Sequence, residues 1–164
     1  MAVPDFFLDS VLSIDLEKLK KRGITHLLLD LDNTLLPRDS DEIPAEIKTW
    51  ALSLKEEGFS ACILSNNWHN RIAEVAGDLG FRLVSKAVKP LPPAYFLGMH
   101  RMNAHSGSTA MIGDQVFTDV LGASCLGITT ILVLPLSKHD LKHTLFLRKF
   151  ERLILGNRHA ESSM

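Results

Sequence analysis

Short apolar runs alternate with amphipathic stretches along most of this chain. Runs rich in Leu, Ile and Val occupy 24–31, 60–64, 81–84, 109–112 and 129–134. Each is bounded by polar or turn-forming residues, the pattern of a buried strand. The segments between them carry helix signals. Ser13 is placed to cap a helix over 14–22 that Gly23 ends. Pro44 suits the first turn of AEIKTWALSLKEE, with Gly58 beyond it. Asn70 is placed to cap RIAEVAGDL, and Gly80 follows its end. Pro92 and Pro93 open a helix through Met102. TDVLGASCL, from Thr118, forms the last helix before Gly127. Strands interleaved with helices, about five of them, predict an α/β fold around a central parallel sheet. No repeat, low-complexity stretch or long linker divides the chain, so residues 1–164 read as one domain.

The residues that end these runs point to chemistry. In open parallel sheets, ligands sit beyond the carboxyl ends of the strands, near a switch in strand order. Asp30 and Asp32 end the first run, in DLDNTLLP. Ser65, Asn66 and Asn67 end the second, and Lys89 lies a few residues beyond the third. Asp114 ends the fourth, with Asp119 five residues later. Parallel strands would bring all four clusters to one edge. Carboxylates gathered there repel one another, and burying them unpaired is costly. A hard divalent cation would offset this; Mg²⁺ favours a few carboxylates, water and a phosphate oxygen. Ser65, the two amides and Lys89 would suit the remaining oxygens of a phosphoryl group. Plainer readings exist for each cluster alone. A DxD pair can be a turn or a helix cap, and Lys89 a surface lysine. Asn66 and Asn67 could cap the next helix or contact substrate. Trp68 and His69 could reach a substrate from the rim, with a structural place favoured for Trp68. His139 and His143 have zinc-compatible spacing but no evident third ligand nearby.

Taken together, these motifs resemble the haloacid dehalogenase (HAD) superfamily of phosphohydrolases. Its D-x-D-x-T appears as Asp30-Leu31-Asp32-Asn33-Thr34, and its strand ending in Ser or Thr as Ile63-Leu64-Ser65. The lone lysine is Lys89, before Pro90. The last motif is Gly113-Asp114 followed by Asp119. The wording LDLDNTLLP, SNN, KP and GDQVFTDVLGA is similar to the YqeG-type branch of subfamily IIIA. That branch resembles mitochondrial-type phosphatidylglycerophosphate phosphatases. The resemblance covers roughly residues 10 to 136 and implies a Rossmann-like core. It implies Asp30 as nucleophile forming an aspartyl-phosphate, and Asp32 as general acid and base. Ser65 and Lys89 would complete the catalytic set. Thr34, Asn66 and Asn67 fall on the substrate side, Thr34 also supporting the Asp30 loop. Mg²⁺ would be held by Asp30, the backbone carbonyl of Asp32, and Asp114. Asp119 would bind the metal directly or orient its water. The superfamily inserts cap domains after the first motif or after the second. Here each gap has room only for a helix and a strand, so the protein is expected to be capless. An uncovered site suits a bulky substrate, or oligomer contacts could cover it.

Composition narrows the rest. The net charge of -1 and pI of about 6.6 argue against a general polyanion binder, so no specific nucleic-acid binding is expected. Residues 138–164 hold six Lys or Arg against three Asp or Glu. As a basic amphipathic segment, at about 138–158, it could lie on an anionic membrane or pack its apolar stripe on the core. Cys62 and Cys125 read as buried, reduced thiols. No apolar run approaches the roughly 18 residues of a membrane span, and the N-terminus is a poor secretory signal. A cytoplasmic protein, peripheral to a membrane if the tail binds one, is expected. The leading function is Mg²⁺-dependent phosphomonoester hydrolysis, with phosphatidylglycerophosphate or another bulky substrate. Nucleotides, sugar phosphates and phosphoproteins are alternatives, as is a non-catalytic binding module. A phospho-acceptor switch fits less well, since its acceptor lies on a middle strand.

Overall fold

The structure is a computed structural model that describes residues 3–137, 160, 161 and 164. Among these residues the strands are β1 (Phe6–Leu8), β2 (His26–Leu29), β3 (Ser60–Leu64), β4 (Arg82–Val84), β5 (Thr109–Gly113) and β6 (Thr129–Val133). The helices are α1 (Leu16–Lys21), α2 (Ala45–Ser53), α3 (Asn70–Leu79), α4 (Pro92–Met102) and α5 (Gly122–Ser124). A π-helical segment, Val116–Leu121, leads into α5. All strands are parallel, in the order β1-β6-β5-β2-β3-β4. The chain therefore moves outward from β2 through β3 to β4, then crosses back to β5 on the other side of β2. The switch point lies between β2 and β5, where ligands of such sheets bind.

Strand alternation sorts the core into two layers. Leu27, Leu29, Ala61, Ile63, Ala110 and Ile112 face α1, α2 and α3. Leu28, Cys62, Leu64 and Met111 face Ala94, Tyr95, Met99 and Met102 of α4. The α4 helix lies almost on the sheet: a Cβ at Gly98 would come within 2.6 Å of Leu28 Cδ2.

Two expectations need correction. The sheet has six strands rather than about five, because Phe6–Leu8 pairs with β6 from Phe6↔Ile131 to Leu8↔Val133. Three residues between two aspartates are too short to show a period. Tertiary contacts make the strand instead: Asp5 Oδ2 accepts from the Thr130 amide at 2.8 Å and its hydroxyl at 2.9 Å. Cys125 is exposed, whereas Cys62 is buried; both are free thiols. At the end of α5, Ala123 takes the core-facing position and Cys125 turns outward.

Helix caps differ slightly from expectation. Asp15, not Ser13, caps α1, accepting from the Lys18 amide at 2.9 Å. Asn70 is the first residue of α3, and His69 stands at its cap position. The basic segment at 138–158, with His139 and His143, lies outside the described residues. No helix among the described residues is long and apolar enough to cross a membrane.

Candidate active site

The sheet delivers three acidic residues to one point beyond its strand ends. Asp30 directly follows β2, and its amide donates to the Ile112 carbonyl of β5 at 2.9 Å. Asp114 directly follows β5, and Asp119 projects from the π-helical segment. All three carboxylates are buried and offer oxygens within 4.8 Å of one another. Lys89, also buried, reaches them from the loop after β4. Its Nζ donates to Asp30 Oδ1 at 2.6 Å and to Asp119 Oδ1 at 2.7 Å.

These contacts shift the ionisation of the cluster. Burial pushes the Asp30 carboxyl up; Lys89 draws it down, while Asp119 and Asp32 push it further up, to about 7. Burial works against the Lys89 ammonium, but Asp119 and Asp30 outweigh it and hold Lys89 above its ordinary range. The ammonium thus bonds two of the three gathered carboxylates. A buried, all-oxygen donor set of this kind fits a hard divalent cation.

The neighbouring residues shape this cluster without joining it. Thr34 Oγ1 is buried and donates to Asp30 Oδ2 at 3.2 Å. Gly113 is small for a reason: a Cβ there would collide with the Asp119 carboxylate. Asp119 Oδ2 accepts from the Gln115 amide at 3.1 Å, so both its oxygens are engaged. Tyr95 of α4 is buried and donates its hydroxyl to the Thr118 carbonyl, which ties down the segment carrying Asp119.

Asp32 turns its side chain toward the loop after β3. Its Oδ2 accepts from Asn67 Nδ2 at 2.7 Å and from Ser65 Oγ at 3.4 Å. Its carboxylate is not one of the three that gather, so a metal role would fall to its backbone carbonyl. Ser65 is fully buried and Asn67 half-buried. Asn66 is exposed, yet its amide is spent on the backbone of Lys89. Trp68, expected in a structural place, is 69% exposed, with Lys86 Nζ 5.0 Å from its ring centroid.

Sequence reasoning missed Asn33. It adopts a left-handed backbone, φ 65°, inside the DxDxT turn. Its carbonyl accepts from the Leu136 amide at 3.0 Å, and its Oδ1 from the Arg38 and Ser137 amides at 3.3 Å. It therefore anchors the chain leaving β6 to the turn that carries Asp30 and Asp32. The signal was present, since Asn tolerates this conformation better than most residues.

Comparison with known proteins points to one family and fold. The profile of the HAD-hydrolase-like family matches residues 87–142, which span Lys89, Asp114 and Asp119. The chain is 37% identical over 154 residues to the probable phosphatase YqeG of Bacillus subtilis, covering 94% of this chain and 90% of that one. It is 27% identical over 153 residues to the chloroplastic/mitochondrial phosphatidylglycerophosphate phosphatase 1 of Arabidopsis thaliana, covering 87% of this chain but 43% of that one. Among solved structures, the HAD phosphatase of Thermococcus onnurineus shares the fold, with a TM-score of 0.61 at 15% identity over 82% of this chain and 99% of that one. So does the cobalt-bound deoxy-D-mannose-octulosonate 8-phosphate phosphatase of Haemophilus influenzae, with a TM-score of 0.59 at 17% identity over 83% and 90%.

Proposed function

Since the chain belongs to the HAD phosphatases, in their YqeG-type branch, we propose that it hydrolyses phosphomonoesters through an aspartyl-phosphate on Asp30, with a divalent cation, Mg²⁺ by preference. One observation carries this reading: three buried carboxylates gather at one point, and the Lys89 ammonium bonds two of them. Asp30, Asp114 and the Asp32 carbonyl would hold the cation. Asp119, with both oxygens already engaged, is better suited to orienting its water. The cation would supply positive charge that favours ionised Asp30 and lets a phosphate dianion approach.

The chain's own groups then divide the work. An Asp30 oxygen attacks phosphorus as the bond to the leaving oxygen breaks. Asp32, held by Asn67 and Ser65 outside the gathered carboxylates, gives that oxygen a proton. Lys89 neutralises charge on the transferring oxygens, and the Ser65 hydroxyl, turned from Asp32, would donate a hydrogen bond to one of them. In the second step Asp32 takes a proton from water, which attacks the acyl phosphate and frees Asp30 and inorganic phosphate. Thr34 keeps Asp30 aimed.

For the substrate, we propose a lipid phosphate of the phosphatidylglycerophosphate kind. The Arabidopsis relative carries that activity in its name. A capless site would admit so bulky a molecule, and among the described residues the helices between β2, β3 and β4 are α2 and α3. Trp68, Val88, Leu91, Phe117 and Leu134 are exposed apolar residues that follow β3, β4, β5 and β6, on the edge where the carboxylates stand. Phosphate release should be measured with Mg²⁺ and after chelation. The panel should include an aryl phosphate and phosphatidylglycerophosphate in vesicles, with Asp30→Asn as control. Metal-dependent turnover abolished in Asp30→Asn is the expected result. Turnover that survives chelation would remove the metal, and turnover that survives Asp30→Asn would remove the aspartyl-phosphate.

A further inference from the structure

Lys89 has no regular element beneath it. β4 ends at Val84 and α4 starts at Pro92. Between them Lys86 and Val88 take left-handed backbones, φ 51° and 58°. Such a conformation is costly for a β-branched valine and persists only where surrounding contacts over-determine it. The loop that supplies those contacts follows β3. The Ala87 amide donates to the Ser65 carbonyl at 3.0 Å and the Lys86 amide to the Asn67 carbonyl at 3.1 Å. Asn66 closes the arrangement from both sides of the lysine: its Oδ1 accepts from the Lys89 amide at 2.7 Å, and its Nδ2 donates to the Lys89 carbonyl at 3.2 Å. The two bonds also fix which way the amide points, since only this orientation satisfies a donor and an acceptor together.

The next residue does a parallel task for the other side of the site. Asn67 Nδ2 donates to Asp32 Oδ2 at 2.7 Å, and its amide donates to Ser65 Oγ at 3.1 Å. Each side-chain amide is thus committed to a residue of the site itself, Asn66 to the Lys89 backbone and Asn67 to the Asp32 carboxylate. We propose that Asn66 and Asn67 are positioning residues with divided duties, Asn66 holding the charge-neutralising Lys89 and Asn67 the proton-donating Asp32. This rests on the phosphatase reading and on the roles given there to Lys89 and Asp32.

Divided duties predict different kinetic signatures. Lys89 bears on the transferring phosphoryl group, whatever leaves. Asp32 matters most where the leaving oxygen is strongly basic and needs a proton. The test compares kcat/KM for an aryl phosphate with a good leaving group and for an alkyl phosphate with a poor one. Asn66→Ala should lower both by about the same factor, on the order of 10–100-fold, the scale of a small misplacement of a reacting group. Asn66→Asp, which keeps the acceptor and loses the donor, should fall between. Asn67→Ala should lower the alkyl reaction at least about tenfold more than the aryl one, within the range general acid catalysis contributes. Reductive methylation followed by mass spectrometry gives a readout without turnover. Lys89 should be protected in the parent protein and in Asn67→Ala, and should label faster in Asn66→Ala and Asn66→Asp. Equal losses on both substrates for Asn67→Ala, or unchanged Lys89 protection in both Asn66 variants, would overturn the division. A parent protein that hydrolyses neither substrate would instead overturn the phosphatase reading.

Discussion

At the scale of single residues, the site is a compromise between charge and burial, and Asp30 shows it most plainly. Its folded carboxyl titrates at about 7, against 3.8 for the unperturbed group. Between those values the folded protein binds more protons than the unfolded chain, so this residue makes stability fall as pH rises. The penalty is complete above about pH 7 and absent below about pH 4, and its size is on the order of a few kcal/mol. A bound cation favours the ionised form and should cancel it. Thermal unfolding in chelator should therefore decline from pH 4 to pH 7 more steeply than in Asp30→Asn. Saturating Mg²⁺ should flatten the parent curve toward that of the variant. At pH 8 without metal, Asp30→Asn should melt several degrees higher than the parent while losing turnover. Equal slopes for parent and variant in chelator would remove the raised Asp30 carboxyl. The residues of this cluster were legible in the sequence because each ends an apolar run or lies soon after one. Asn66 and Asn33 were not legible in their actual roles, because Asn66 holds the backbone of Lys89 and Asn33 that of Leu136 and Ser137, distant in sequence and on loops whose meeting only the folded chain reveals.

At the scale of elements, glycines report how closely each piece must approach its neighbour. Gly113 ends β5 against the Asp119 side chain, where an added Cβ would stand 2.6 Å from Asp119 Cβ. Gly98 sits in α4 over the sheet, where an added Cβ would press on Leu28 and, at 3.2 Å, on Leu64. Gly113→Ala should displace Asp119 from Lys89 and lower kcat/KM roughly 100-fold or more. Gly98→Ala should cost about 1–3 kcal/mol of stability through overpacking, with kcat retained. Denaturant unfolding beside steady-state kinetics separates the two; a kcat loss in Gly98→Ala matching that in Gly113→Ala would show that the α4 layer and the site move together. The elements were legible where their period is long. α4 runs from Pro92 to Met102 as expected, because two prolines open it and left-handed Asn103 closes it. β1 was not legible, because a three-residue strand has no period and owes its existence to β6 and Thr130. The helix expected from Thr118 begins at Val116 and is π-wound before α5. That extra width presents Asp119 to Lys89 and Gln115 together, a feature no residue pattern announces.

At the scale of the whole molecule, the same edge of the sheet carries two opposed surfaces. Its centre is a buried cluster of three carboxylates and a lysine, a donor set that fits a hard cation. The segments that follow β3, β4, β5 and β6 at this edge also carry Trp68, Val88, Leu91, Phe117 and Leu134, exposed apolar side chains. Scattered exposed hydrophobics need no explanation, but a set gathered at one end of a sheet around a polar site does. A phosphate carried on an acyl-glycerol body would meet both surfaces at once; a small soluble phosphate would use only the centre. The prediction is a divergence between substrates. Trp68→Ala and Phe117→Ser, at exposed positions outside the gathered carboxylates, should lower kcat/KM for phosphatidylglycerophosphate in vesicles by about tenfold each, since burying an aromatic side chain is worth that much or more. The same variants should hydrolyse an aryl phosphate within about twofold of the parent. Losses of equal size on both substrates would mean that the two aromatics support the loops rather than meet a lipid. The substrate would then have to be sought among phosphates that the acidic centre alone can recognise.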